Sequence, residues 1–276
     1  MGLFTCARFH ALESAHIHVT SSKEVHLRSG DITALLGLFY AAVSASHVRT
    51  LNLTMICISL QSDDDFPPLR DLLASILPLR DLRTFTLTGV LRVMPVDDAD
   101  FVALARAWPT LERLNISDGT TSESAVSLGA LHHFASACPS LQELSLPGLV
   151  YPVVGVHVIP EPPLASSPER PPHPLRQLRV RTVLVPKTDP QSISDESAEA
   201  FARYLLELFP NLDGWEYMPK PPRPREPSPE PGPPGRRRPG ISMSSFVAYD
   251  GRWWAVARRI YALCAAREEA KLSFSA

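Results

Sequence analysis

This sequence has little surplus of either charge: 27 Lys and Arg face 29 Asp and Glu, for a formal net charge of −2. It therefore lacks the excess of one sign that draws a chain to nucleic acid or to an anionic membrane surface. Cysteine is scarce. Cys6, Cys57, Cys138 and Cys264 are dispersed with no C-x-x-C pair, which excludes a disulfide frame or zinc knuckle and points to buried thiols in a reducing compartment. No apolar run reaches the ~18 residues that span a bilayer. The start, Met1 to Cys6, has neither the basic nor the apolar region of a secretory signal, and Cys6 stands where a myristoylation motif needs Ser or Thr. These absences predict a cytoplasmic or nuclear protein with no nucleic-acid and no membrane partner. Reaction motifs are missing too. There is no G-x-S-x-G, Walker loop, G-x-G-x-x-G or H-E-x-x-H, so neither enzyme activity nor a cofactor is expected.

What the chain does have is proline and a repeat. Its 28 prolines in 276 residues are roughly twice the usual ~5% share. Three stretches read alike: Trp108-Pro-Thr-Leu111-Glu-Arg-Leu114-Asn-Ile116, Cys138-Pro-Ser-Leu141-Gln-Glu-Leu144-Ser-Leu146 and Phe209-Pro-Asn-Leu212-Asp-Gly-Trp215-Glu-Tyr217. Looser copies are Leu12/Ala15/Ile17, Val48/Leu51/Leu53, Leu82/Phe85/Leu87 and Leu175/Leu178/Val180. First positions at 12, 48, 82, 111, 141, 175 and 212 are spaced by 29 to 37 residues. One L-x-x-L proves nothing, but seven in one phase are the signature of a repeat architecture.

The intervening stretches carry helical spacing. Ile32, Leu35, Leu36, Phe39 and Val43 share one face, as do Leu69, Leu72, Leu73, Ile76 and Leu77. Phe101/Leu104/Ala105/Trp108, Leu128/Leu131/Ala135/Cys138 and Ala198/Phe201/Leu205/Leu208/Phe209 follow the same rule. Asp97/Asp98, Ser122/Ser124 and Ser194/Asp195 stand where N-caps belong, and Pro109, Pro139 and Pro210 end the helices. Each unit is thus a short strand plus an amphipathic helix that cannot bury its apolar face alone. Stacking does so, at roughly 1.5–3 kcal/mol per buried Leu or Phe. The expected fold is an α/β leucine-rich-repeat solenoid, an open arc with parallel strands on the concave face and helices on the convex face.

The L-x-x-L-x-L phase and the phrases CPSLQELSLPGL and WPTLERLNI resemble the repeat region of F-box/leucine-rich-repeat proteins. The resemblance covers about residues 9–218. It implies that the repeats hold a substrate protein for an SCF-type ubiquitin ligase, with ligase subunits as further partners. The eleven residues ahead of Leu12 leave no room for an F-box in this chain. A stand-alone scaffold or inhibitor-like arc is the alternative reading, and the chain is expected to be monomeric outside a complex.

The organisation follows. Residues 1–218 form the array, with a Pro-rich loop at 160–174 preceded by an extended Val-rich segment, Val153 to Ile159. Residues 219–240 hold ten prolines and Arg236-Arg237-Arg238 and are expected to be a disordered insertion. Residues 241–276 should supply a capping helix, with Trp253, Val256, Ala257, Ile260, Leu263 and Cys264 on its apolar stripe and Arg258, Arg259 and Glu269 towards solvent.

Function is sought on the outward-facing strand positions, because repeat arcs bind on their sheet face. The central row reads His16, Asn52, Thr86, Asn115, Ser145, Arg179, Glu216. The expected protein-binding residues are Asn52, Thr86, Arg113, Asn115, Glu143, Ser145, Arg179, Arg181 and Glu216. An enzyme reading would need a rim arginine, Arg113 or Arg179. His16-x-His18 could pair on a metal with His10 or His26, but no further ligand is placed, so a solvated pair is expected. Asp63–Asp65 and Asp97-Asp98-x-Asp100 lack the glycine and distal glutamate of a calcium loop and read as helix-start charges. Ser167 and Ser228, each followed by proline, are candidate phosphorylation sites.

Overall fold

The computed structural model describes residues 9–20, 29–56, 67–89, 96–116, 126–150, 172–184, 195–213 and 251–275. In chain order the elements are β1 (Ser14–Thr20), α1 (Ser29–Val43), β2 (Thr50–Ile56), α2 (Leu69–Leu72), β3 (Thr84–Thr88), α3 (Asp98–Ala107), β4 (Arg113–Ile116), α4 (Leu128–Ala137), β5 (Glu143–Val150), β6 (Gln177–Leu184), α5 (Asp195–Leu208) and α6 (Gly251–Ser275). The six strands form one sheet in the order β1-β2-β3-β4-β5-β6, and every pair is parallel. The protein is an α/β structure built on an open parallel sheet.

The sequence phase becomes the register. Ala15, Leu51, Phe85, Leu114, Leu144 and Leu178 lie side by side across all six strands. Ile17, Leu53, Leu87 and Ile116 form a second row, and Leu146 stands beside Val180. All of these except the partly buried Ala15 are buried. Their partners are the apolar helix faces: Ile32, Leu36 and Phe39 of α1, Phe101 and Leu104 of α3, Leu131 and Phe134 of α4, and Phe201 and Leu205 of α5.

The apolar-Pro-polar-Leu motif has a physical origin. Leu111 N donates to Trp108 O, Leu141 N to Cys138 O and Leu212 N to Phe209 O, each at 3.1 Å. Proline thus occupies the second position of a β-turn, where its fixed φ is already correct. The polar third position binds the unit before it. Thr110 Oγ1 donates to Arg80 O and Leu82 O at 3.0 and 3.2 Å, and Asn211 Nδ2 donates to His173 O at 3.0 Å. At the heads of β2 to β6, two consecutive N–H groups share one carbonyl of the preceding unit. Arg49 and Thr50 bond Glu13 O, Arg83 and Thr84 bond Arg49 O, Glu112 and Arg113 bond Arg83 O, and the same pairing continues to Gln142 O, at 2.7–3.1 Å. Asp213 N, bonded to Arg176 O at 2.7 Å, extends this ladder into the seventh copy. The remainder of that copy, Trp215, Glu216 and Tyr217, lies outside the described residues, as do residues 153–159, most of 160–174, and 219–240.

Two helices differ from expectation. The stripe from Leu69 to Leu77 is helical only over Leu69–Leu72. Beyond it i−3 and i−4 bonds mix, with Ile76 N and Leu77 N both on Leu73 O at 2.8 and 3.1 Å, and the leucines still reach the core. Helix α4 is capped by Ser127, whose Oγ accepts from Gly129 N, not by Ser122 or Ser124, which lie outside the described residues. Val126 explains the later start: it pairs with Leu149, its N–H bonded to Gly148 O and its carbonyl to Val150 N, so the chain is extended there.

Asp97 caps α3 as its residue type predicts, in a reciprocal capping box with Asp100. The α3 carboxylates also join neighbouring units. Asp100 accepts from Arg70 N at 2.9 Å and Asp97 N at 3.0 Å, and Asp98 accepts from Ser127 N at 2.7 Å and from the Ser127 hydroxyl. Asp100 is fully buried, and burial raises its pKa above the ordinary 3.8, against the lowering by its backbone hydrogen bonds.

Helix α6 covers the far end. Val256, Ala257 and Ile260 are buried, and the helix packs on α5 and β6. Cys264 Sγ reaches Leu212 O at 3.4 Å and Arg267 donates to Pro210 O at 2.9 Å. Arg259, expected in solvent, is only partly exposed and pairs with Asp195 at 3.3 Å, because that acid starts the neighbouring helix α5. No helix among the described residues is long and apolar enough to cross a membrane.

Leu114→Ala or Leu144→Ala should cost about 2–5 kcal/mol, read from the shift of the urea midpoint, because each opens a cavity in the shared core. A raised carboxyl pKa means that the folded state keeps a proton the unfolded state has lost. The stability advantage of the wild type over Asp100→Asn should therefore shrink as pH rises from 3.8 through the raised value. Urea titrations of both proteins across that window check the sign.

Candidate protein-binding face

Strand alternation that sends the leucine rows inward sends the residues between them to the opposite face. The register places His16, Asn52, Thr86, Asn115, Ser145 and Arg179 in one line across the sheet. One row nearer the strand starts lie Ser14, Thr50, Thr84, Arg113, Glu143 and Gln177. The sequence-predicted residues Asn52, Thr86, Arg113, Asn115, Glu143, Ser145 and Arg179 are thus brought onto one face. Arg181 is part of β6, but its side chain lies outside the described residues. Glu216, Ser167 and Ser228 lie outside them entirely.

The face divides by chemistry. On β1 to β3 it is hydroxyl, amide and imidazole. Asn52 Nδ2 lies 3.1 Å from His16 Nε2, and the hydroxyls of Thr54 and Thr88 bond across strands at 3.0 Å. Charge begins at β4. Arg113 Nε pairs with Glu143 Oε1 at 3.3 Å, a contact dictated by their direct register. A second pair, Arg83 with Glu112 at 3.1 Å, lies just outside the strand starts. Arg179 donates to Gln177 Oε1 at 3.4 Å. Both ion pairs are solvent-facing, where such contacts contribute ~0–1 kcal/mol and screening is strong.

One expected surface residue is corrected. Ser145 is only 8% exposed. Its short side chain sits between the longer Asn115 and Arg179 in the row, on a strand that is buried along nearly its whole length. Asn115 is partly exposed, but its Oδ1 is buried and has no hydrogen-bond partner. Leaving such an acceptor unpaired costs on the order of 1–3 kcal/mol.

The remaining candidates are settled locally. Among the described residues, no three His, Cys, Asp or Glu side chains cluster to hold a metal ion. His132 is half-buried and His133 exposed, their rings edge to face at 6.3 Å. The Cys138 thiol donates to Ala105 O and Trp108 O, and burial pushes its pKa up to about 12, so it is no nucleophile. The residue that sequence reasoning missed is His173. Its Nδ1 accepts from Leu175 N at 3.2 Å while Nε2 meets Cys138 O at 3.0 Å. A neutral ring with its proton on Nε2 thereby ties the sixth unit to the fifth. Its position in the proline position of the turn motif, between Pro172 and Pro174, was the available signal.

Asn115→Ala should change stability by less than about 0.5 kcal/mol, or raise it, because an unpaired acceptor disappears. The Arg113→Ala/Glu143→Ala cycle should give a coupling of about 0.2–1 kcal/mol that fades at high salt. Denaturation curves of the four proteins at two ionic strengths measure both.

No family model matches this chain, and no curated protein or solved structure does either.

Proposed function

We propose that this chain is a leucine-rich-repeat arc that binds a protein on the open, concave face of its sheet and performs no catalysis. We further propose that it is the substrate-recognition part of an SCF-type ubiquitin-ligase receptor. The observation that carries the first clause is the register. Seven phased motifs have six strands aligned residue for residue, with one sheet face packed on helices and the other offering rows of hydrogen-bonding side chains. A parallel sheet buried on both faces reads as continuous apolar runs; strands β1 to β4 alternate instead. A sheet left open in this way provides an extended surface suited to a protein segment. The ligase clause rests on the motif phrases alone.

The test expresses the tagged full gene product in cells, with any coding sequence upstream of Met1 included, and recovers its complexes. The SCF adaptor and a second protein should co-purify. Asn52→Arg with Thr86→Arg should reduce recovery of the second protein at least about tenfold, since bulk and charge are placed at the centre of the face, while adaptor recovery and the melting temperature hold. Absence of the adaptor removes the ligase clause and leaves a stand-alone scaffold. Recovery of the second protein unchanged by the double substitution removes the face.

A further inference from the structure

We infer that the half of the open face on β1 to β3 is a docking strip for an extended, uncharged polar peptide, paired through its main-chain amides. This deepens the protein-binding reading and rests on it.

The first ground is charge. On β2 the face carries Thr50, Asn52 and Thr54, and on β3 it carries Thr84, Thr86 and Thr88, in direct register. The adjoining positions of β1 are a serine and two histidines. None of these side chains is a carboxylate, ammonium or guanidinium, whereas charge begins abruptly at Arg113 on the next strand. An acidic or basic partner laid on this half would lose water around its charges and find no countercharge. The strip is equally poor in the aromatic platforms and apolar pockets that anchor most protein interfaces.

The second ground is hydrogen-bonding capacity. Asn52 is engaged with His16 and Thr54 with Thr88, which holds those side chains in place. The hydroxyls of Thr50, Thr84 and Thr86 have no partner among the described residues. Each can both donate and accept, as a peptide main chain requires.

The third ground is spacing. Same-face side chains recur every two residues along a strand, about 6.6 Å. An extended peptide presents its N–H and C=O groups to one side with that same period. A peptide lying parallel to β2 and β3 therefore meets a hydroxyl or amide at each repeat, independent of its side chains. Specificity comes from excluding charge.

The experiment measures binding of the full chain to three fluorescent peptide sets of about ten residues each: uncharged Ser/Thr/Asn/Gln, acidic and basic. The uncharged set should bind best, with affinity changing less than about twofold between about 50 and about 500 mM salt. Thr84→Val/Thr86→Val, which keeps shape and removes both hydroxyls, should weaken binding at least about tenfold, and Thr84→Ser/Thr86→Ser should retain it. Preference for either charged set, steep salt dependence, indifference to the valine variant, or no binding by any set each overturns the inference. Failure here with the cellular partner still captured through this face sinks only the peptide chemistry. Uncharged peptides bound as expected, with a cellular partner indifferent to the face, would sink the proposed function instead.

Discussion

At the heads of β2 to β6 two consecutive N–H groups converge on one carbonyl of the preceding unit, from Glu13 through Arg49, Arg83 and Glu112 to Gln142. The contact uses only backbone, so it tolerates any residue but proline at the two donor positions, and it fixes the register of each strand against the last. A slip by one residue would send every leucine of a strand to the open face. Everything else depends on that alignment: the leucine rows, the cross-strand pairs and the division of the outer face into neutral and charged halves.

A second set of contacts runs between helix starts. Asp98 and Asp100, in the first turn of α3, take backbone N–H groups from the units on either side, Ser127 and Arg70. Acids in a first turn favour the helix dipole, and here the same carboxylates also bond N–H groups at the starts of the adjacent helices. Joined at the strand heads by carbonyls and at the helix heads by carboxylates, the units on either side of α3 are held to it at both ends. The burial of Asp100 is the electrostatic penalty of that arrangement.

Much of this was legible from residue types. Apolar period two within strands and period 3.6 between them located the elements, and Asp97 stood where an N-cap belongs, ahead of an apolar helical stripe. The failures were local. The stripe from Leu69 to Leu77 has helical spacing, yet its regular helix ends after one turn and mixed i−3 and i−4 bonds follow, because periodicity reports which residues face the core and not which hydrogen-bond pattern carries them there. Ser122 and Ser124 looked like caps because nothing in the chain announced that Val126 would pair with Leu149. His173 was read as part of a loop, although its two ring nitrogens bond Leu175 N and Cys138 O.

The open face shows where local pattern stops. Alternation alone decided that Asn52, Thr86, Asn115 and Arg179 share one side of the sheet, because successive side chains on a strand must point oppositely. Exposure on that side is another matter, since it depends on the size of neighbours that are distant in the chain. Ser145 is buried between longer neighbours on the strands beside it, and Asn115 Oδ1 is buried without a partner. Residues three dozen positions apart meet only once the strands have aligned, and that meeting belongs to the tertiary structure.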